Sequence, residues 1–465
     1  MVSYSVNFGP GVSAGIDPAR WPQFVASTAS LRDLLDGLAN SQRLPPTSIA
    51  SHQAQQLAAL AVWASAHCSP YASQRTLAAE LTGSTGNAER FWHSWQTWPV
   101  LRKADLRTHG AAMQADTLPA AQQPVEVLQT SGSTGIPVQI ATTALTRNLW
   151  NALTAREHLW QRRDPARRLG VIRHRPRSAR DPHGEDLASW GPPMADLTGT
   201  GSASAIHVGL PVPVLVDWLR RFDPHYLLTY PSVADALLDA LPALADRNSS
   251  LEEVRLISEP LDPALEARLR TDWGVRVTDM YSANEVGHIA FRCREQGRLH
   301  VQSESVLVEI LDADGRSCAP GVPGRVVITA LHNLATPLLR YELGDFASFG
   351  SPCSCGRGLP VIEHVLGRTR NLIRTPDGRR FWPLGLGTIR VLDAIMQAQY
   401  VQTHIDAIEL RVVTLRPLTG EERDTAIELV RGSLGYPFAV KVIPVAAIER
   451  GPTGKFEEFL SLLDQ

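Results

Sequence analysis

From about residue 125, short β-branched runs alternate with helical spacers, and this alternation constrains the fold more than any other feature. "VEVLQT", "HYLLTYP", "EVRLIS" and "VRVTDMY" read as strands, and "SVADALLDALPALA" and "DPALEARLRTDWG" as helices between them. Such a succession implies an α/β layer structure with a largely parallel sheet. Residues 22–110 read instead as helical, with segments such as "LAALAVWASAH" and "SQRTLAAELT". After residue 300 strands and turns take over: "ESVLVEILDADG", "GRVVITALHN", "TPLLRYELGD". A last stretch, with "AIELRVVTL" and "EERDTAIELVRGSLG", suffices for a small domain of its own.

A chain of 465 residues is too long for one ordinary core. The expected plan is a large multi-layer α/β N-terminal domain over 1–366, helical to about residue 120, followed by a small α+β domain over 367–465. Lys plus Arg (45) nearly balances Asp plus Glu (47), which argues against a general nucleic-acid binder. The first 25 residues lack a basic segment followed by an apolar run, so no signal peptide is expected. No apolar stretch reaches the ~18 residues that would span a bilayer. Five cysteines are too few for a disulfide scaffold and suit a reducing cytoplasm.

"LQTSGSTGIPVQI" (128–140) has the composition of an anion-binding loop. Gly132 and Gly135 permit a tight backbone whose N–H groups converge, and Thr130, Ser131, Ser133 and Thr134 add hydroxyl donors. It is not a Walker A loop, because Gly135 is followed by Ile136, Pro137 and Val138 rather than by lysine and a helix. "VQIATT" reads as a strand, and the helix comes afterwards with Leu145, Leu149, Leu153 and Trp160 at helical spacing. The loop therefore joins strand to strand, and a polar surface turn is the alternative reading.

Three further stretches carry ionisable groups on loops. "YSANEVGHIA" (281–290) follows a strand and presents Glu285, "LLRYELGDFA" (338–347) places Asp345 after a glycine turn, and "ERGPTGKFEEF" (449–459) carries Lys455. "CREQGRLH" and "PCSCGRG" supply Cys293, His300, Cys353 and Cys355, the composition of a closed structural zinc site; buried free cysteines with a surface histidine are the alternative. The run "QRRDPARRLGVIRHRPRSARD" holds eight arginines between Arg162 and Arg180, either a solvated loop or a surface for an acidic partner. "LTGTGSAS" (197–204) reads as a flexible turn or a second anion loop.

In this order and spacing the loops resemble the adenylate-forming superfamily of acyl-CoA ligases, luciferases and peptide-synthetase adenylation domains, from about residue 95 to the C-terminus. "LRKADLR", "DPHYLLTYPSVADALL", "CSCGRGLP" and "MQAQYVQ" are similar to its phenylacetate-CoA ligase group. The resemblance implies that ATP and a small carboxylic acid, of aromatic class, give an acyl-adenylate that passes to the thiol of CoA or of an acyl or peptidyl carrier protein. It implies that residues 130–135 hold the leaving phosphates and that Glu285 ligates Mg²⁺, a hard cation suited to carboxylate oxygen. Asp345 would accept from the ribose hydroxyls, and Ser258, Glu259, Pro260, Tyr281 and Ser282 would frame the nucleotide. Arg368 would sit near ribose or phosphate, and Lys455, from a mobile C-terminal lid, would bridge the reacting carboxylate and the α-phosphate. Tyr230 would wall the acid pocket or serve as a core tyrosine, and His288 would touch substrate or hold the loop. Some members of the group place zinc with a set like Cys293, His300, Cys353 and Cys355. The loop departs from the family in having Ile136 and Val138 where lysine is common, Asn284 stands where Thr or Ser usually precedes the glutamate, and Arg370 occupies the hinge position. An amide-forming ligase and a degenerate nucleotide-binding scaffold are the rival readings.

Overall fold

A computed structural model describes residues 30–129, 138–175, 181–242, 249–368, 371–381, 383, 386–450 and 455–463. The chain forms two units. One comprises Met1–Pro165, Trp190–Thr200 and Met280–Val365, the other Ala166–Ser189, Gly201–Asp279 and Leu366–Gln465.

The first unit opens with helices Leu31–Ser41, Pro46–His67, Arg75–Ser84, Ala88–Gln96 and Lys103–His109, as the alanine- and leucine-rich segments require. Strands Val125–Gln129 and Gln139–Thr143 pair antiparallel, so the glycine and hydroxyl loop does join strand to strand. Thr143 then caps helix Ala144–Trp160 by accepting from the Thr146 N–H, and Leu145, Leu149 and Leu153 form the buried stripe expected of it. The rest of the unit is antiparallel sheet. Strands Gly287–Arg292, Leu299–Val301, Val306–Leu311, Gly324–Ala330, Tyr341–Phe349 and Val361–Arg368 follow the "strands and turns" pattern seen after residue 300. Helices and sheet share one core, from Leu34 to Ile362.

The second unit holds the parallel part. Strands Leu169–Arg173, Ala203–His207, Tyr226–Thr229 and Glu253–Leu256 run parallel, the start of Arg276–Ala283 joins them, and Glu185–Leu187 closes the edge antiparallel. Helices Val212–Phe222, Pro231–Ala240 and Pro263–Asp272 are the crossovers; the last is started by Asp262, whose carboxylate accepts from the Ala264 N–H, with Pro263 at its first position. This layer has its own core, Ile172 to Val277. The C-terminal stretch has another, Ile373 to Phe459, beneath a four-stranded sheet ordered Ala439–Pro444, Ala407–Thr414, Ile395–His404, Phe459–Ser461. Its helix, Gly420–Leu434, begins with a capping box between Thr419 and Glu422 and ends at Gly435 in the left-handed region. No helix of the described residues is long and apolar enough to cross a membrane.

Candidate functional site

In the first unit the site is built around one hairpin. The strand ending at Ala283 turns through Asn284, Glu285 and Val286 and returns as Gly287–Arg292. Tyr281, buried before the turn, donates its phenol to Asp345 Oδ2 at 2.8 Å. Asp345 lies inside strand Tyr341–Phe349 rather than after a turn: Gly344, at φ +81°, is flanked by a register shift against the neighbouring strand. A glycine that a sequence pattern reads as a turn is here a bulge, and a bulge re-aims the side chain that follows it.

The turn holding Glu285 is clamped from outside. Gly287, at φ +75°, faces the Trp150 indole, and any Cβ there would collide with the ring. One helical turn further on, Thr154 donates its hydroxyl to the Trp150 carbonyl and meets His288 Nε2 at 2.9 Å. The helix that follows the glycine and hydroxyl loop therefore grips the Glu285 hairpin at two points spaced i, i+4. His288 Nε2 is engaged in this grip. Glu285 itself has an 11% exposed side chain, and its Oε1 lies 3.8 Å from Lys103 Nζ, a charge pairing without a hydrogen bond.

In the second unit Ser258, at φ +70°, is the middle of a three-residue turn closed by the Glu259 N–H on the Ile257 carbonyl at 2.9 Å. This backbone is costly for a serine, and such strain persists where the surroundings hold it. The turn sends Glu259 inward, where Oε2 accepts the Ser232 N–H at 2.9 Å and Oε1 accepts the Phe456 N–H at 2.7 Å. Arg450 Nη1 stands 3.5 Å from Oε1 and donates to Ser232 Oγ at 2.9 Å. Burial pushes the Glu259 carboxyl up, opposed by the Phe456 N–H and the Arg450 guanidinium. Burial also lowers Arg450, opposed by Glu259 and Tyr230. Lys455 directly precedes Phe456, so its backbone is fixed beside this carboxylate. Tyr230 is buried at the start of helix Pro231–Ala240, and its hydroxyl accepts the His174 N–H at 3.2 Å.

The four cysteine and histidine residues do converge. Their ligand atoms all lie within 4.8 Å of one another. His300 Nε2 faces Cys355 Sγ at 3.3 Å, while Nδ1 lies 3.2 Å from the Leu359 carbonyl. Because a carbonyl can only accept, Nδ1 carries the proton and Nε2 offers its lone pair to the cluster. Burial pushes His300 down to about 4, so the ring is neutral, as ligation requires. A contraction of about 1 Å would close the set on an ion with metal–sulfur bonds near 2.3 Å. Burial and the hydrogen bond to Glu295 push the Cys293 thiol up to about 12, whereas the Arg357 N–H donors outweigh burial at Cys355 and hold that thiol below its ordinary value. Zinc therefore fits this donor set. The cluster joins the loop after the Asp345 strand to the turn beyond the Glu285 hairpin.

Thr130, Ser131, Gly132, Ser133, Thr134, Gly135 and Arg370 lie outside the described residues, as do Arg177 and Arg180. Ser282 pairs with His288 in the hairpin ladder, Pro260 follows Glu259, and Arg368 ends strand Val361–Arg368. Three participants escaped the sequence reading: Lys103, Arg450 and Ser232. One signal was available for Lys103. Of the chain's 45 cationic side chains only Lys103, Lys441 and Lys455 are lysine, and Lys103 is the one that faces Glu285.

Comparison with known proteins identifies the class, an adenylate-forming enzyme. The model of the family described as AMP-binding enzyme matches residues 65–335, and the chain belongs to that family. A relative, the phenylacetate-coenzyme A ligase of Thermus thermophilus, is 24% identical over 403 residues, covering 78% of this chain and 86% of its own. The 2-hydroxyisobutyryl-CoA ligase solved in complex with 2-HIB-AMP shares the fold at TM-score 0.71, with 19% identity over 97% of this chain and 98% of its own. The anthranilate CoA ligase AuaEII with anthranoyl-AMP is more distant: TM-score 0.51, 15% identity, 74% and 68% covered.

Proposed function

We propose that the chain uses ATP and Mg²⁺ to convert a carboxylic acid, of aromatic class, into an acyl-adenylate and then transfers the acyl group to the thiol of CoA. The observation that carries this reading is the Tyr281–Asp345 hydrogen bond beside the Glu285 turn. One hairpin supports a carboxylate suited to ribose hydroxyls and another suited to a hard cation. In the first step the acid's oxygen attacks the α-phosphorus, the bond to the β-phosphate bridge breaks, and pyrophosphate leaves. Lys455 would stabilise the charge that gathers on the α-phosphate. In the second step the thiol sulfur attacks the acyl carbon, its proton is lost, and AMP departs. CoA is favoured over a carrier protein because the relative and the structural neighbours named above are CoA ligases. Residues 367–465, with a core of their own, would be the lid that carries Lys455.

Pyrophosphate exchange into ATP, driven by a panel of aromatic, fatty and amino acids, tests the first step. Exchange with an aromatic acid is expected, and Lys455→Ala should lower it by about 100- to 1,000-fold while ATP still binds. Silence with every acid, with ATP binding intact, would leave a nucleotide-binding scaffold as the better account.

We also infer that Cys293, His300, Cys353 and Cys355 hold a structural zinc ion. Elemental analysis should find about one zinc per chain, lost in Cys355→Ser. A metal-free wild type that is equally stable with and without added zinc would refute this.

A further inference from the structure

Both flanks of Lys455 are tied to one carboxylate. The residue after it, Phe456, donates its N–H to Glu259 Oε1, and Arg450, five residues before it, reaches the same oxygen. Arg450 also holds Ser232 Oγ, and the Ser232 N–H holds Glu259 Oε2, which closes a ring of contacts between the start of helix Pro231–Ala240 and the C-terminal segment. The arginine further lies over the Phe456 ring, 5.9 Å from its centroid. Glu259 has a 6% exposed side chain, so its charge has little water to fall back on when these partners leave. Such a pair is held by mutual need rather than by net gain, and is suited to opening and closing. The strained turn at Ser258 exists to aim this side chain.

We propose that Glu259 is the catch for the backbone at Lys455 and Phe456, with Arg450 as its clasp: together they position the lysine for acyl-adenylate formation. The inference rests on the acyl-adenylate reading above. It gives the Glu259 side chain to the lysine turn rather than to adenine, and makes both residues positioning residues for the first half-reaction. On this proposal the two residues act on the first half-reaction alone, and thiol transfer proceeds without them.

Arg450→Gln in the full chain tests this, with phenylacetate as the acid. Phenylacetate-driven pyrophosphate exchange should fall about 100-fold through kcat, the usual effect of a displaced catalytic group. Thioester formation from synthetic phenylacetyl-adenylate and CoA should stay within about threefold of wild type. Arg450→Lys, which keeps the charge but not the planar fork, should recover part of the exchange rate. A parallel fall in both half-reactions, or no fall in exchange, would overturn the proposal. A readout independent of acid and activity is amide hydrogen exchange at Phe456. It should be slow in wild type and at least about tenfold faster in Glu259→Gln, since the amide opens when its acceptor weakens. Equal protection in the two proteins overturns the catch even if adenylation is confirmed. Unequal protection in a protein inert towards phenylacetate would sustain the catch while sinking the adenylation reading for that acid.

Discussion

Two buried arginine–glutamate pairs, one in each unit, show how the same chemistry serves opposite ends. Arg156 meets Glu304 with both nitrogens, Nη1 to Oε2 at 3.0 Å and Nη2 to Oε1 at 3.1 Å, while Ser41 Oγ adds a 2.6 Å hydrogen bond to Oε1. Arg156 also reaches Gln302, and both side chains are almost fully enclosed, 3% and 0% exposed. Arg450 Nη1 stands 3.5 Å from Glu259 Oε1, and the arginine is 20% exposed. The first pair is bidentate, fully desolvated and cross-braced, so it welds helix Ala144–Trp160 to the sheet behind the Glu285 hairpin. The second is longer, more open to water on the arginine side, and shared with the Phe456 backbone N–H. Geometry, not residue type, separates a weld from a catch.

The comparison breaks first at the weld. Arg156→Met leaves Glu304 charged in the core with only the Ser41 hydroxyl to hold it, and should cost roughly 3–5 kcal/mol of unfolding free energy. Replacing both, Arg156→Met with Glu304→Met, should recover part of that loss. Denaturant unfolding measures both, and activity per folded molecule should persist. A loss below about 1 kcal/mol in the single variant would place this pair with the weakly held ones and erase the distinction.

Why the sequence exposed one kind of information and hid the other follows from where each is encoded. Glu285, Asp345 and Lys455 stand in short local patterns, each next to a glycine or a strand end, and a local pattern survives reading in one dimension. Of the parallel strands, Tyr226–Thr229, Glu253–Leu256 and the start of Arg276–Ala283 were legible through their β-branched runs, and helix Gly420–Leu434 through "EERDTAIELVRGSLG". Leu169–Arg173, by contrast, lay hidden in the arginine run, and Ala203–His207 began in a stretch read as a turn. Arg450 and Ser232 are meaningful only because the fold brings positions 218 residues apart to 2.9 Å. One arginine among so many carries no local mark. Gly344 was misread as a turn because a bulge and a turn ask the same positive φ of a glycine, and only the neighbouring strand's register tells them apart. The Cys293–Cys355 cluster was readable from composition, but the fixed His300 tautomer was not, since it depends on the Leu359 carbonyl across the strand.

A smaller effect sharpens the catch. Burial lifts the Glu259 carboxyl above its ordinary value, so the folded protein gives up that proton at a higher pH than the unfolded chain does. Below about pH 4 both forms are protonated, and ionisation adds no penalty. As pH rises past the unfolded value the unfolded chain ionises first and gains free energy that the folded chain does not, and the penalty stops growing only above the folded value. Glutamine has no proton to lose. Hence the stability of wild type relative to Glu259→Gln should decline as pH is raised from 4 towards 8, by about 1 kcal/mol or somewhat more for each unit of elevation. Urea midpoints taken across that range measure the slope. A slope of the opposite sign would mean that Arg450 and the two N–H donors overcome burial and hold the carboxyl down. Glu259 would then be a second weld, and releasing the lysine turn between half-reactions would require the breaking of a stabilising pair.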